Sequence, residues 1–268
     1  MPTLAASYAL PLELLLLLAG AVLLWRWGLT PAARARPAAL PAWDVSISDF
    51  FLFVWLVFLG GLIGQYALAL YFKSHPLTVP HQLILGTTAL HGGMLLGMAG
   101  YRFSFGWRQP RLTFAFPNAL RSGLVTFLIT LPVITLVSLL WQGLLKLCHV
   151  TPSPQESIEL LRHTDSVAFR VTLVLVAILV APISEELLFR AGLFRYMRTH
   201  VPRWIALLVP ALLFAVLHLD IGSFVPLVAL AIVFSLAYEK TGNIGTTIVA
   251  HALFNLNATL LVLAGVDT

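Results

Sequence analysis

Apolar runs near 20 residues recur along the whole chain, at about residues 5–25, 49–72, 82–101, 119–145, 167–189, 204–219, 224–239 and 244–264. A bilayer core of about 30 Å takes about 20 helical residues to cross, so the pattern predicts about eight membrane spans. Lipid cannot hydrogen-bond bare backbone groups, and each span must therefore be a helix. The fold class expected is all-α, a polytopic transmembrane helical bundle. Pro132, Pro182, Pro210 and Pro226 fall inside the runs and mark kinks that neighbouring helices must cover. Residues 1–148 carry about four spans with an Ala/Pro/Arg-rich linker at 27–43, and residues 149–268 carry about four more as a catalytic core.

Composition agrees: 59% of the 268 residues are hydrophobic and 10% are charged, against roughly 25% charged in soluble domains. The net charge of +5 comes in short clusters between apolar runs, without the basic stripe or aromatic motif of a nucleic-acid binder. No nucleic-acid partner is expected. With the first run passing from outside to inside, Arg26, Arg34, Arg36, Arg102, Arg108, Arg111, Arg121, Arg190, Arg195, Arg198, Arg203 and Lys240 fall on the cytoplasmic side. Lys73, Lys146, Arg162 and Arg170 lie opposite, with the acidic loop 148–166. The first run lacks the basic flank and cleavage site of a signal peptide and reads as a retained span. Glu13, near one end of it, reads as an interfacial carboxylate. Abundant Arg, Ala and Leu suit a GC-rich bacterial genome, which places the protein in a bacterial inner membrane. The single cysteine, Cys148, offers neither an intrachain disulfide nor a thiolate metal site.

Ionisable residues inside spans usually face the bundle interior and carry function. Glu185, Glu186 and Arg190 close an apolar helix. Glu186 and Arg190 are four apart and share a face, so they can pair as a clamp, while Glu185 projects about 100° away and is left free to handle a proton. The bland alternative is three ordinary charges at a helix end. His218 follows Phe214 by four residues, and Phe214 can wall the site against lipid. His251 and Asn255, also four apart, point the same way and can donate to a single oxygen. They are equally an interhelical hydrogen-bonding pair. Asn257 lies on another face and is expected to be dispensable. His91 and Gln65 read as packing residues and Asp220 as a loop carboxylate.

Peptide hydrolysis without a nucleophilic side chain needs an activated water and donors for the tetrahedral oxyanion. Glu185 and His218 can serve the first need, and His251 and Asn255 the second. The chain has neither a GxSxG elbow nor an HExxH helix. The ordered set EExxxR (Glu185, Glu186, Arg190), FxxxH (Phe214 to His218) and HxxxN (His251 to Asn255) resembles the CAAX-processing and bacteriocin-processing (CPBP, or Abi) peptidases, which include the Ras-converting endopeptidase. The likeness covers about residues 167–260. It implies an intramembrane glutamic endopeptidase with Glu185 and His218 as water activators, His251 and Asn255 as oxyanion donors, and no cofactor. The substrate implied is a membrane-anchored or membrane-delivered protein or peptide.

Two other readings stand beside it. One is a zinc peptidase with Glu185, His218 and His251 as ligands, to which Asn255 is less suited. The other is a non-catalytic scaffold or small transporter using the same polar cluster. The span boundaries also pose a conflict of depth. Glu185 and His251 fall about 7 and 10 Å from the cytoplasmic ends of their spans, but His218 about 20 Å from the start of its own.

Overall fold

A computed structural model of the chain describes residues 4–105, 112–152, 156–164 and 166–266. Arg108 and Arg111, expected on the cytoplasmic side, lie outside them, as does Asp165 of the acidic loop. The chain is 83% helical, with no strand among the described residues. Helix α1 (Leu4–Leu24) widens into a π-helical turn at Trp25–Leu29, and a short α2 (Pro31–Arg34) follows. The long helices α3 (Ile47–Ser74), α4 (Val79–Phe105) and α5 (Phe116–Leu147) complete the first half. The second half holds α6 (Glu156–His163), α7 (Val167–His200), α8 (Arg203–Val216), α9 (Phe224–Thr241) and α10 (Ile244–Leu263).

Among the described residues, seven helices are long and apolar enough to cross a membrane: α1, α3, α4, α5, α7, α9 and α10. The eighth expected span is α8, whose 14 residues reach only about 21 Å. It spans part of the bundle. The amphipathic α6, in the loop 148–166, escaped the search for long apolar runs.

Local sequence fixes where the helices begin and end. Ser46, Ser166 and Asn243 cap α3, α7 and α10 by accepting from Asp49, Phe169 and Gly245 N–H. Gly242 takes φ +61 to turn the chain from α9 into α10. α3 and α4 pack backbone to backbone: a Cβ on Gly93 would collide with the Gly60 carbonyl, and one on Gly60 with that of Gly93. Small residues at a crossing of this kind let membrane helices gain dispersion contact that lipid cannot offer. In the second half, α5 lies against α9 and α10 as well as against α1, so the two halves meet along it.

The fifth run departs most from the sequence reading. Expected to end near residue 189, α7 continues to His200 as one 34-residue helix. Arg190 and Arg195 look like the flank of a span, yet each meets a partner inside the protein. Arg190 is 1% exposed and sits 2.9 Å from Glu186, and Arg195 Nε donates to the Pro41 carbonyl at 2.9 Å. Arg190 is therefore an interior group, not a cytoplasmic one. This also removes the conflict of depth. Glu185 lies 15 residues before His200 and His218 lies 15 after Arg203, about 22 Å in each case. The connection Val201–Pro202 turns α8 back along α7, so the two side chains come level.

The 27–43 linker straps the basic end of the bundle. Ala39 N–H donates to the Glu239 carbonyl (2.9 Å), Trp43 N–H to Thr199 Oγ1 (3.0 Å), and Lys240 Nζ to the Arg36 carbonyl. Trp43 then enters an aromatic cluster with Phe50, Phe53 and Tyr196, the last two rings being 5.3 and 6.1 Å from it. The strap is thus packed as well as hydrogen-bonded.

Candidate active site

The site is built around an irregular stretch of α7. Wide π-helical turns at Val176–Val180 and Leu187–Phe194 flank a short α-helical segment, Ala181–Glu186. Such turns recur at functional positions because they re-aim side chains without ending the helix. The kink expected at Pro182 takes this form. In the first wide turn Ala181 N–H bonds to the Val176 carbonyl, five residues back. The next bond in that register would run from residue 182 to Ala177, and proline has no N–H to give. Asn255 fills the gap: its Nδ2 donates to the Ala177 carbonyl at 2.8 Å.

Asn255 and His251 therefore each commit one donor to a separate group on α7, Asn255 to the Ala177 carbonyl and His251 to Glu186. His251 turns Nδ1–H to Glu186 Oε1 at 2.8 Å, and its Nε2 lies 3.7 Å from Glu185 Oε2. The expected clamp between Glu186 and Arg190 is present, with side chains 0 and 1% exposed. The Arg190 guanidinium also stacks on two aromatic faces, 4.7 Å from the Phe214 ring centre and 5.4 Å from that of Phe234. Glu185 has no partner on its own helix, but across the bundle it faces His251. The imidazole is thus bracketed by both glutamates, which helix geometry within α7 alone could not reveal.

His218 follows the last turn of α8, where Leu219 takes φ +51 and stops the helix. Its Nδ1–H donates to the Phe214 carbonyl at 2.7 Å, so Nε2 is left with a lone pair. Phe214, 1% exposed, meets Phe189 edge-on at 5.2 Å and the His251 ring at 6.1 Å. It is an interior wall, as expected. The loop after His218 is held by α5, through Trp141 Nε1 to the Ile221 carbonyl (2.7 Å) and Gln142 Nε2 to that of Gly222 (3.1 Å). Asp220 receives Gly222 N–H (2.9 Å), a local turn contact that fits a loop carboxylate.

Three further polar residues have settings that the sequence alone does not specify. His91 is buried against the site: its Nδ1 is 2.7 Å from Ser184 Oγ, and it stands in the electrostatic field of Glu185, His218 and His251. The signal was available, since a histidine inside an apolar run is costly wherever it sits. Gln65 is exposed instead of packed. Glu13 is not left to the interface, because Asn257 Nδ2 donates to its Oε2 at 3.1 Å.

The zinc reading needs three donors around one point. Among the described residues, no three His, Cys, Asp or Glu side chains are arranged to hold a metal ion. Glu185, His218 and His251 do not form such a set.

Residues 167–257 match the family model described as Rce1-like, type II CAAX prenyl endopeptidase Rce1-like. No curated protein and no solved structure matches the chain.

Proposed function

Since residues 167–257 belong to the CAAX-processing peptidase family, we propose that this chain is an intramembrane endopeptidase that hydrolyses a peptide bond of a membrane-associated protein or peptide with a water activated by Glu185 and His218. The observation that carries the reading is the bracketed imidazole, with His251 2.8 Å from Glu186 and 3.7 Å from Glu185 inside the bundle. Glu186, paired with Arg190, accepts the hydrogen bond from His251 Nδ1–H, and Nε2 is the atom His251 turns to Glu185. A carboxylate that holds an imidazole in this way fixes its direction and stabilises its protonated form. Glu185 is 16% exposed at the side chain, enough to meet a water that the buried Glu186 cannot reach.

In the proposed reaction Glu185 removes a proton from water as its oxygen bonds to the scissile carbonyl carbon, with the His218 Nε2 lone pair accepting the other water hydrogen bond. The oxyanion is held by His251 Nε2–H and by the second amide proton of Asn255, the first being committed to Ala177. A proton on Nε2 also balances charge, since two glutamates then face Arg190 and a cationic His251. The tetrahedral carbon next expels the amine, which takes its proton from Glu185. One water is consumed, and the C–N bond is replaced by C–O.

The test is cleavage by purified protein in bilayer discs, with prenylated and unprenylated C-terminal peptides and membrane-anchored precursors as candidates and product termini read by mass spectrometry. Glu185→Gln keeps shape and loses the base, so turnover should fall by about 10² or more with the melting temperature unchanged. An active Glu185→Gln protein overturns the assignment. Loss of activity on chelation, restored by zinc, would move the chemistry to the metal reading, and a wild type that cleaves nothing would favour the scaffold.

A further inference from the structure

We propose that His91 is a positioning residue of this site, supplied by the N-terminal half of the chain and acting on Glu185 through Ser184. The inference rests on the functional reading above and extends the site beyond residues 167–257, the segment that carries the family match.

The segment Ala181–Glu186 is held at its end by Glu186, bound to Arg190 and His251, but the backbone before it has little to fix its register. Wide turns lie on both sides, and Pro182 removes a backbone donor. Ser184 is its anchor. The residue is 0% exposed, and its Oγ lies 3.0 Å from the Ala181 carbonyl and 3.2 Å from that of Val180. A hydroxyl has one proton, and two carbonyls that can only accept compete for it. The remaining contact of Oγ, at 2.7 Å to His91 Nδ1, is therefore received from His91 Nδ1–H. Nε2 of His91 is left as a lone pair beside the polar cluster.

The contact has a firm base on the other side. His91 is 8% exposed on α4, and α4 is locked to α3 by the direct approach of Gly93 and Gly60 two residues away. A rigid helix pair thus holds a hydrogen-bond donor against the residue that immediately precedes Glu185. Fixing Ser184 fixes the direction from which the Glu185 carboxylate enters the cavity. Displacement of a catalytic group by about 1 Å can cost about 10²-fold in rate. The close pair of Ser184 and His91 is not a nucleophile with its base, because Ser184 is enclosed and its proton is committed to its own helix.

The experiment compares His91→Ala, Ser184→Ala, the double variant and His91→Asn in bilayer discs, on whichever peptide the wild type cleaves, with Glu185→Gln alongside. Loss of either partner should lower kcat about 10- to 100-fold, with KM and folded fraction close to wild type. The double variant should be no worse than the worse single, and His91→Asn, whose amide can replace Nδ1–H, should restore most of the rate. Three results overturn the proposal: His91→Ala that lowers only the melting temperature; single effects that multiply in the double; or a dead Ser184→Ala, which would mark a nucleophile. A fully active Glu185→Gln instead removes the reaction on which the proposal rests. A second arm needs no substrate. In ¹⁵N-histidine NMR of the ligand-free protein, His91, identified by its loss in His91→Asn, should be protonated at Nδ1 and should shift in Ser184→Ala. Protonation at Nε2 alone overturns the contact.

Discussion

Helix α7 takes part in two glutamate–arginine clusters at different depths, the second completed by Arg203 of α8 and Glu239 of α9. Near its middle, Glu186 pairs with Arg190 at 2.9 Å, and both side chains are at most 1% exposed. Near its basic end, Arg198 and Arg203 both bind Glu239, at 2.6 and 2.7 Å, with the arginines 35 and 49% exposed. The rim carboxylate is itself buried, its side chain 3% exposed, but it meets two partly exposed cations, one through a fork of Arg203 nitrogens on Oε2 at 2.9 and 2.7 Å. The interior pair has one cation, two aromatic faces and the imidazole of His251. The same ion pair is fastening at the rim and, in the proposed reaction, the support of His251 inside. What distinguishes them is the third group, which at the rim is a second arginine and inside is a histidine that itself faces Glu185.

The largest expected effect breaks the interior pair. Arg190→Ala leaves Glu186 as a buried carboxylate without its cation and should cost about 3–5 kcal/mol of stability, seen as a lower folded yield and melting temperature. Replacing both groups sharpens the comparison. Glu186→Gln with Arg190→Met removes both charges, and exchanging a buried pair for neutral groups is often close to neutral in stability. Folding should then recover while turnover stays low, because His251 has lost the carboxylate that orients it. A fully folded but inactive Arg190→Ala, or a double variant with wild-type turnover, would mean that the interior cluster is not divided in this way.

At the rim the same deletion should matter far less. Arg203→Ala leaves the buried Glu239 paired with Arg198, and the lost pair, whose arginine is half exposed and screened, should contribute about 1 kcal/mol. Unfolding of wild type and variant should differ little, and less at high salt than at low, with cleavage unchanged. A loss comparable to that of Arg190→Ala would show that the strap across Glu239 and Lys240, and not burial, sets the scale of these clusters.

How much of this was legible in the sequence depended on whether the deciding interaction lay within one helix. Glu186 with Arg190, and Phe214 with His218, are four residues apart, and helix periodicity places them together without any knowledge of the fold. The helical spans were equally readable, since apolar length decides them. What failed was everything decided by a partner from another element. Arg190 and Arg195 looked like a span end because nothing in their own neighbourhood reveals Glu186 folded inward with His251, or the carbonyls of Pro41 and Ala42. The Asn255 contact with the Ala177 carbonyl was hidden too, because the missing donor at Pro182 lies on another helix and is invisible from α10. His91 lies 93 residues from Ser184, and no local period can connect them.

The smallest expected effect tests a third polar contact, intermediate in kind between the two clusters. Asn257 Nδ2 donates to Glu13 Oε2 at 3.1 Å, joining α10 to α1 with both residues inside apolar helices. Asn257 is two residues from Asn255, about 200° around the helix, so it faces away from Glu185 and His251 and toward the first span. A single hydrogen bond between membrane helices averages about 0.6 kcal/mol in double-mutant cycles, because helices separated in lipid find other partners. Asn257→Leu should therefore lower stability by about that amount and leave cleavage at the wild-type level. Pairing it with Glu13→Gln in a double-mutant cycle isolates the contact from the substitution of either residue. A coupling energy near that of the interior ion pair would show that depth alone makes polar contacts strong here. A normal melting temperature with abolished cleavage would place α1 in the active site, and the division between a fastening and a catalytic use of polar groups would have to be redrawn.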